Sequence, residues 1–278
     1  MAGYLFVFYL ICILILIISY YSYRYAWWAP AISYEHPRIL MYHMISKHHN
    51  TTTFRGLRVP PDHFEQQLRY LVKNGWTFMT MAELAASKGQ HGKKVVVLTF
   101  DDGYADNYYE AFPIMQRYGA KGTLYLVVDR HNRDWSTYKK AHHDTGELAK
   151  EPKLSDEQVR EMLDSGLFEL GGHTLTHANL NRLSAEERAR EIGKSRHILE
   201  RRFKTPVKSF AYPFGIYSEA DVAAAKAAGY DNAVTTVDGV ETCLLARPFE
   251  LRRVKVSGKD NFLAFKLRLR RGKRGIKK

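Results

Sequence analysis

Val95-Val96-Val97-Leu98-Thr99-Phe100-Asp101-Asp102-Gly103 is the segment from which the architecture of this chain can be predicted. An apolar run that ends in two carboxylates and a glycine is typical of a buried parallel strand with functional residues at its C-terminal tip. Further along, His173-Thr174-Leu175-Thr176-His177 places two imidazoles at positions i and i+4, so that both can point the same way from one turn.

These two segments together predict a metal centre. One carboxylate and two imidazoles form an open three-ligand site for zinc or a similar divalent ion, with one coordination position left for water. The other carboxylate would then lie beside the metal, where a metal-dependent hydrolase needs a base. Taken alone, Asp-Gly after a strand is most often a turn, and paired histidines on a polar stretch are most often solvated. The downstream segment Ala211-Tyr212-Pro213-Phe214-Gly215 favours the metal site.

These three motifs resemble those of the NodB-type polysaccharide deacetylases, carbohydrate esterase family four, over residues 38–256 or so. The resemblance implies an N-acetylated polysaccharide as substrate and a divalent metal, zinc first, with cobalt or nickel as alternatives. It implies that Asp101 is the general base and that Tyr212 offers its backbone N–H to the oxyanion. Pro213 and Phe214 would line the substrate site. The implied metal ligands are Asp102, His173 and His177.

The chain departs from the usual family pattern at two places. Ala211 stands where the family has an arginine that holds the base, and the late strand Leu251–Val256 has no histidine to act as the acid. However, Ile39-Leu40-Met41-Tyr42-His43 resembles the opening strand of a permuted branch, which includes poly-β-1,6-N-acetylglucosamine deacetylases. We therefore expect His43 to be the general acid and Arg253, or else Arg252, to replace the missing arginine.

Alternating strand-like and helix-like segments predict an α/β fold, a distorted (β/α) barrel of the polysaccharide deacetylase type. His43, Asp101-Asp102, His173 and Tyr212 each follow a strand-like run, as active-site residues of such barrels do. Three helix signals accompany the strands. They are an N-cap at Asp62, an N-cap at Ser155 and a capping box at Ser184 and Glu187, and Pro113 should break or kink a helix over 107–118.

Residues 1–31 are predicted to be a membrane anchor with an aromatic interface. Tyr4 to Tyr21 contains no charge and is long enough to span a bilayer, and tyrosines and tryptophans follow it up to Trp28. A cleaved signal peptide is the alternative, but no Lys or Arg precedes the apolar run. Arg24 favours a cytoplasmic domain by the positive-inside rule, whereas the resemblance favours a catalytic domain outside the cytoplasm, which we adopt.

The charge of the chain is concentrated at one end. The formal net charge is +13, and residues 266–278 hold eight basic side chains and no acidic one. This composition predicts a disordered basic tail over 261–278, after a catalytic domain over 32–260, that contacts anionic lipid or an anionic polymer. The tail has no interleaved aromatics or binding motif for nucleic acid. Cys12 and Cys243 are not expected to form a disulfide.

Three hypotheses of function are compatible with these residues. The first is a membrane-anchored, metal-dependent enzyme that removes N-acetyl groups from an N-acetylglucosamine-type polysaccharide and releases acetate. The second is a deacetylase or esterase of another acylated glycan, such as peptidoglycan, a chitin-like chain or a glycolipid. The third is a non-catalytic sugar-binding module on a degenerate scaffold. In the polar segment 129–153, Trp135 is the candidate to stack on a sugar face.

Overall fold

The computed structural model describes residues 2–49, 52–131, 133 and 146–276. The strands in this part of the chain are β1 Arg38–Tyr42, β2 Met44–Ile45, β3 Arg58–Val59, β4 Thr77–Met79, β5 Val95–Asp102, β6 Gly122–Leu126, β7 Phe168–Gly172, β8 Ser209–Ala211, β9 Asn232–Asp238 and β10 Leu251–Lys255. The helices are α1 Ala2–Tyr25, α2 Pro61–Lys73, α3 Met81–Ala86, α4 Phe112–Tyr118, α5 Glu147–Lys150, α6 Asp156–Asp164, α7 Ala185–Ala189, α8 Ser195–Phe203, α9 Glu219–Ala227 and α10 Phe262–Arg271.

Seven parallel strands form a closed barrel, which confirms the predicted fold class. The order around the ring is β1-β10-β9-β8-β7-β6-β5, and the ring closes because β1 also pairs with β5. β1, the first barrel strand in the chain, thus lies between β5, from the middle of the chain, and β10, the last strand. β4 adds to β5 outside the ring, and β2 pairs with β3 as a separate short ladder.

The alternation of side chains along β5 explains how the barrel is filled. All eight residues of β5 are buried. Leu98 and Phe100 point outward into the main core between strands and helices, whereas Val97 belongs to the smaller cluster inside the barrel. Asp101 has the same parity as Val97, so the strand carries the first carboxylate inward at the mouth of the barrel.

The predicted helix signals are only partly correct. Ser155 begins α6 with a capping box, as expected, and Ser184 begins α7 in the same way. Asp62 does not cap α2, because that helix begins one residue earlier and Pro60 is its N-cap. Pro113 lies at the start of α4, directly after the π-helical turn Asn107–Ala111, where its missing N–H costs little.

The apolar N-terminal segment forms α1, a helix of 24 residues. By length and composition it is the one candidate membrane span in the described residues, and none of its apolar window is buried against the rest of the chain. The last residue of α1, Tyr25, is buried against α10, and Ala26 and Ala29 after it are buried as well.

The prediction of a disordered basic tail is wrong for the described residues up to Ile276. Asn261 caps α10, and Phe265 and Leu269 on this helix pack into the main core. Ala264 and Leu267 contact Tyr25, so α10 lies between the barrel and the end of α1. Apolar residues such as Phe265 and Leu269 recur at helical spacing between the basic ones. They supply the packing that a disordered tail lacks.

Candidate active site

The predicted functional residues converge at the carboxyl ends of the barrel strands, around one cavity of about 340 Å³. His43 follows β1, Asp101 and Asp102 end β5, and His173 follows β7. Parallel strands present their carboxyl ends on one side of a barrel, so residues far apart in sequence meet there. The predicted site residues that line this cavity are His43, Asp101, Asp102, His173, His177, Tyr212 and Phe214.

Asp102, His173 and His177 form a compact, buried group of ligand atoms. Asp102 Oδ1 lies 3.3 Å from Nε2 of His173 and 3.3 Å from Nε2 of His177. The three ligand atoms all lie within 4.8 Å of one another. One carboxylate oxygen and two imidazole nitrogens are a donor set that zinc binds readily, so these residues fit a divalent ion.

Hydrogen bonds orient the first histidine of this group. His173 Nδ1 lies 2.7 Å from the carbonyl oxygen of Ala211. A carbonyl oxygen only accepts, so Nδ1 carries the proton and Nε2 presents its lone pair toward Asp102 and His177. Ala211, which stands where the family has arginine, thus orients His173 through its backbone carbonyl oxygen.

The turn that carries the second histidine is held in an uncommon backbone conformation. Thr174 and His177 have φ values of 66° and 59°, and Asp102 has a φ of 77°. Such values are rare outside glycine and persist only where surrounding contacts fix them. Glu191 supplies such contacts, because its carboxylate accepts hydrogen bonds of 3.0 Å from the backbone N–H groups of Leu175 and Thr176.

Asp101 is held by Arg253 across the barrel. Two guanidinium nitrogens of Arg253 donate to the two carboxylate oxygens of Asp101, each at 2.7 Å. Arg253 also donates to the Thr235 carbonyl oxygen at 2.8 Å and to Thr99 Oγ1 at 3.0 Å, so the buried guanidinium is held from three sides. Arg252 is exposed and does not contact Asp101. Burial alone would raise the pKa of Asp101, but the pairing with Arg253 outweighs it and lowers that pKa.

His43 also lies close to the carboxylate of Asp101. Its Nε2 is 3.9 Å from Asp101 Oδ2, and its side chain is 18% exposed, so it opens to the cavity. Burial is the main cause that lowers the pKa of His43. Its backbone carbonyl oxygen accepts a hydrogen bond of 2.9 Å from the Asn107 side chain, which fixes the chain where β1 ends.

Tyr212 and Phe214 form part of the wall of the cavity. The Tyr212 N–H donates to the Val234 carbonyl oxygen at a long 3.3 Å, so this group is already weakly bonded within the sheet. The Phe214 ring lies 4.4 Å from that of His177, centre to centre, and Phe214 has a φ of 59°. Pro213, which was predicted to line the substrate site, is buried and is not among the residues that line the cavity. Trp135 lies outside the described residues.

Three apolar residues that line the cavity next to Phe214 were not predicted from the sequence. Phe54 and Leu57 come from the loop before β3, and Leu148 from α5. Arg58 joins these two segments, since its guanidinium donates to carboxylates of Glu147 and Glu151 at 2.7 Å each. Glu147 and Glu151, in the polar segment 129–153, were the sequence signal for this contact. Their spacing along the chain could not identify Arg58 as their partner.

Comparisons with known proteins agree with this geometry. A family model described as polysaccharide deacetylase matches residues 88–233. A Bacillus subtilis protein, YxkH, which is named for the same family, is 32% identical over 222 residues, covering 79% of this chain and 71% of the relative. The poly-β-1,6-N-acetyl-D-glucosamine N-deacetylase of Staphylococcus aureus is 26% identical over 191 residues, which is 63% of this chain and 60% of that enzyme.

Solved structures show the same architecture. The polysaccharide deacetylase BC0361 of Bacillus cereus has a TM-score of 0.71 and 28% identity, covering 84% of this chain and 69% of that one. The Streptococcus pyogenes deacetylase PplD, solved in complex with acetate, has a TM-score of 0.67 and 25% identity, covering 82% of this chain and 94% of that one. With the barrel and its strand-end residues, these matches show that the chain belongs to the polysaccharide deacetylase family, hydrolases that act on amide bonds.

Proposed function

We propose that this enzyme removes N-acetyl groups from an N-acetylglucosamine-type polysaccharide in a metal-dependent reaction that releases acetate. The observation that carries the proposal is the pairing of two neighbouring groups in one cavity, the ligand group of Asp102 with two histidines and the His43–Asp101–Arg253 group. The name of the staphylococcal relative supports a poly-β-1,6-N-acetylglucosamine chain as the substrate class.

Asp102, His173 and His177 would hold the divalent ion. Zinc suits one carboxylate and two imidazoles, and cobalt or nickel could replace it. When bound, such an ion supplies Lewis acidity toward a carbonyl oxygen and lowers the pKa of water. His173 is already oriented for this role by the Ala211 carbonyl oxygen, so little rearrangement is needed on binding.

Asp101 is the proposed general base, and Arg253 is its positioning residue. The two parallel hydrogen bonds from Arg253 fix both carboxylate oxygens and keep the group ionised, as a proton acceptor must be. Arg253 thereby takes the role of the family arginine, whose position is occupied by Ala211 in this chain. The absence of the family arginine at Ala211 favours a non-catalytic sugar-binding module, and this ion pair supports catalysis instead.

His43 is the proposed general acid, which gives a proton to the nitrogen of the departing sugar amine. It lies on the cavity side of Asp101, close enough for both groups to reach one substrate amide. Tyr212 is the proposed oxyanion donor through its backbone N–H, which would leave its long bond to Val234. Phe214 would contact the sugar next to His177.

We further propose that α1 is retained as a membrane anchor and that the barrel lies outside the cytoplasm, where polymer substrates are met. The exposed apolar surface of α1 and the exposed indoles of Trp27 and Trp28 support membrane insertion with an aromatic interface. Exposed basic groups of α10, such as Lys266, would contact anionic lipid headgroups next to it. Extraction of membranes with high salt should leave the protein bound, and its release would contradict the anchor.

Acetate release from defined oligomers tests the substrate. Tetramers of N-acetylglucosamine with β-1,6 and with β-1,4 linkages would be compared at equal concentration, with zinc present. We expect faster release from the β-1,6 tetramer, and a His43→Ala variant should lose about 10²-fold or more in kcat. Preferred turnover of the β-1,4 tetramer or of a peptidoglycan fragment would reassign the substrate, and no release from any of them would reject the proposal.

A further inference from the structure

Lys255 lies at the mouth of the catalytic cavity and has no part in the proposed reaction. Leu251, Arg253 and Lys255 alternate along β10 and therefore face the barrel interior. Leu251 packs inside the barrel and Arg253 pairs with Asp101, so Lys255 forms the next and outermost layer. Its side chain lines the cavity together with that of His43.

The ammonium group of Lys255 is available to a ligand. Its backbone N–H donates to Asp238 Oδ1 at 3.0 Å, while the other oxygen of Asp238 is engaged by Arg268 at 3.1 Å. Within the described ranges, the exposed side chain of Lys255 makes no hydrogen bond or ion pair. The charge of Arg253, by contrast, is matched by Asp101. Lys255 thus adds an unmatched positive charge to the wall.

The proposed reaction turns a neutral sugar into a cationic one, so the charge of this wall matters. An N-acetylated unit carries no charge, whereas a deacetylated unit carries an amine that is protonated below about pH 8, by analogy with α-amino groups. The Lys255 ammonium and a protonated sugar amine would lie several ångströms apart at the solvated rim of the cavity. Their repulsion corresponds to a roughly fivefold loss of affinity for the deacetylated unit.

We propose that Lys255 selects sugar units by charge, disfavouring units with a free amine and so directing the enzyme to acetylated stretches of a partly deacetylated polymer. This inference rests on the proposed function, because it takes an amino-sugar polymer as the ligand. The same repulsion helps the product unit leave the cavity after its amine is protonated. Removal of Lys255 should therefore strengthen binding of the deacetylated product.

The test measures binding rather than turnover. Full-length, zinc-loaded protein in detergent would be titrated calorimetrically with a β-1,6-linked glucosamine tetramer at pH 6 and low salt. We expect Lys255→Gln to bind this tetramer about fivefold more tightly than the unaltered protein, and Lys255→Arg to bind it as the unaltered protein does. Lys259→Gln removes the same charge at an exposed position outside the cavity and should leave the affinity unchanged.

Measurements at high salt and at high pH show whether charge repulsion causes the gain in affinity. The gain in Lys255→Gln should shrink at 0.5 M salt and at pH 9, where the charges are screened or the sugar amines are neutral. Equal affinities of Lys255→Gln and the unaltered protein at pH 6 would overturn the inference, as would a gain that persists at high salt. Because glucosamine binding requires no acetate release, this result is independent of whether the proposed deacetylation is observed.

Discussion

At the scale of single residues, the pairing of Asp101 with Arg253 is the contact that fixes the proposed general base. The sequence alone could name Asp101 from its place after an apolar strand, and it could list Arg252 and Arg253 as alternatives. The preference for Arg253 could not be decided from the sequence, because adjacent residues on a strand face opposite sides and the inward parity of β10 was unknown. The structure places Arg253 inward and Arg252 outward.

Replacement of Arg253 by alanine should impair both turnover and stability. Asp101 would remain buried without a partner, which costs about 3–5 kcal/mol in the free energy of unfolding. The base would also lose its orientation and its low pKa, so we expect kcat to fall about 10²-fold. Chemical denaturation and acetate release would measure the two effects. The exposed Arg252→Ala is the matched control, and an Arg253→Ala variant as active as this control would remove Arg253 from the site.

The carboxyl group of Asp106 should make the free energy of unfolding depend on pH. Burial beside the groove near Ser46 raises the pKa of Asp106 to about 7. A carboxyl whose folded pKa exceeds its unfolded value loses stability as pH rises from about 4 to 7, because the unfolded chain releases the proton first. The side chain keeps some contact with water, so we expect a loss of about 1–2 kcal/mol.

Denaturation at pH 5 and pH 8 would measure this effect in the unaltered protein and in Asp106→Asn, whose amide cannot ionise. We expect the difference in unfolding free energy between the two pH values to be smaller in the variant by about 1–2 kcal/mol. The same difference in both proteins would show that Asp106 does not titrate in this range.

At the scale of elements, the strands were predictable and the C-terminal helix was not. The apolar run that begins at Val95 predicted β5, because a buried parallel strand needs little beyond apolar side chains. The apolar face of α10 was overlooked because the eight basic residues over 266–278 dominated its composition. Several of those charges are used within the fold, for example Arg268 with Asp238 and Asp260.

Two substitutions in α10 distinguish a packed helix from a free tail. Phe265 is 1% exposed in the main core, whereas Leu263 is 48% exposed on the same helix. We expect Phe265→Ala to lower the free energy of unfolding by about 3–5 kcal/mol and Leu263→Ala to change it by less than about 0.5 kcal/mol. Thermal and chemical denaturation would measure both. Equal, negligible effects would support the disordered tail instead.

At the scale of the whole molecule, the closed ring explains how the site is assembled from distant parts of the sequence. β1 lies between β5 and β10, so His43 from the start of the domain and Arg253 from its end both reach Asp101. The ring was predictable from the family resemblance, and the strand-end rule predicted which residues would meet. The wall of Phe54, Leu57 and Leu148 depended on loop packing that no local pattern specifies.

The most direct test of the central claim is acetate release from a β-1,6-linked N-acetylglucosamine tetramer by metal-stripped, full-length protein titrated with zinc. Full-length protein is needed because Tyr25, at the end of α1, packs against Ala264 and Leu267 of α10. We predict that release rises with bound zinc to one equivalent. Asp101→Asn should bind zinc but lose about 10³-fold in kcat, and His173→Ala should lose both. Release that is independent of zinc, or an Asp101→Asn variant with full activity, would contradict the account.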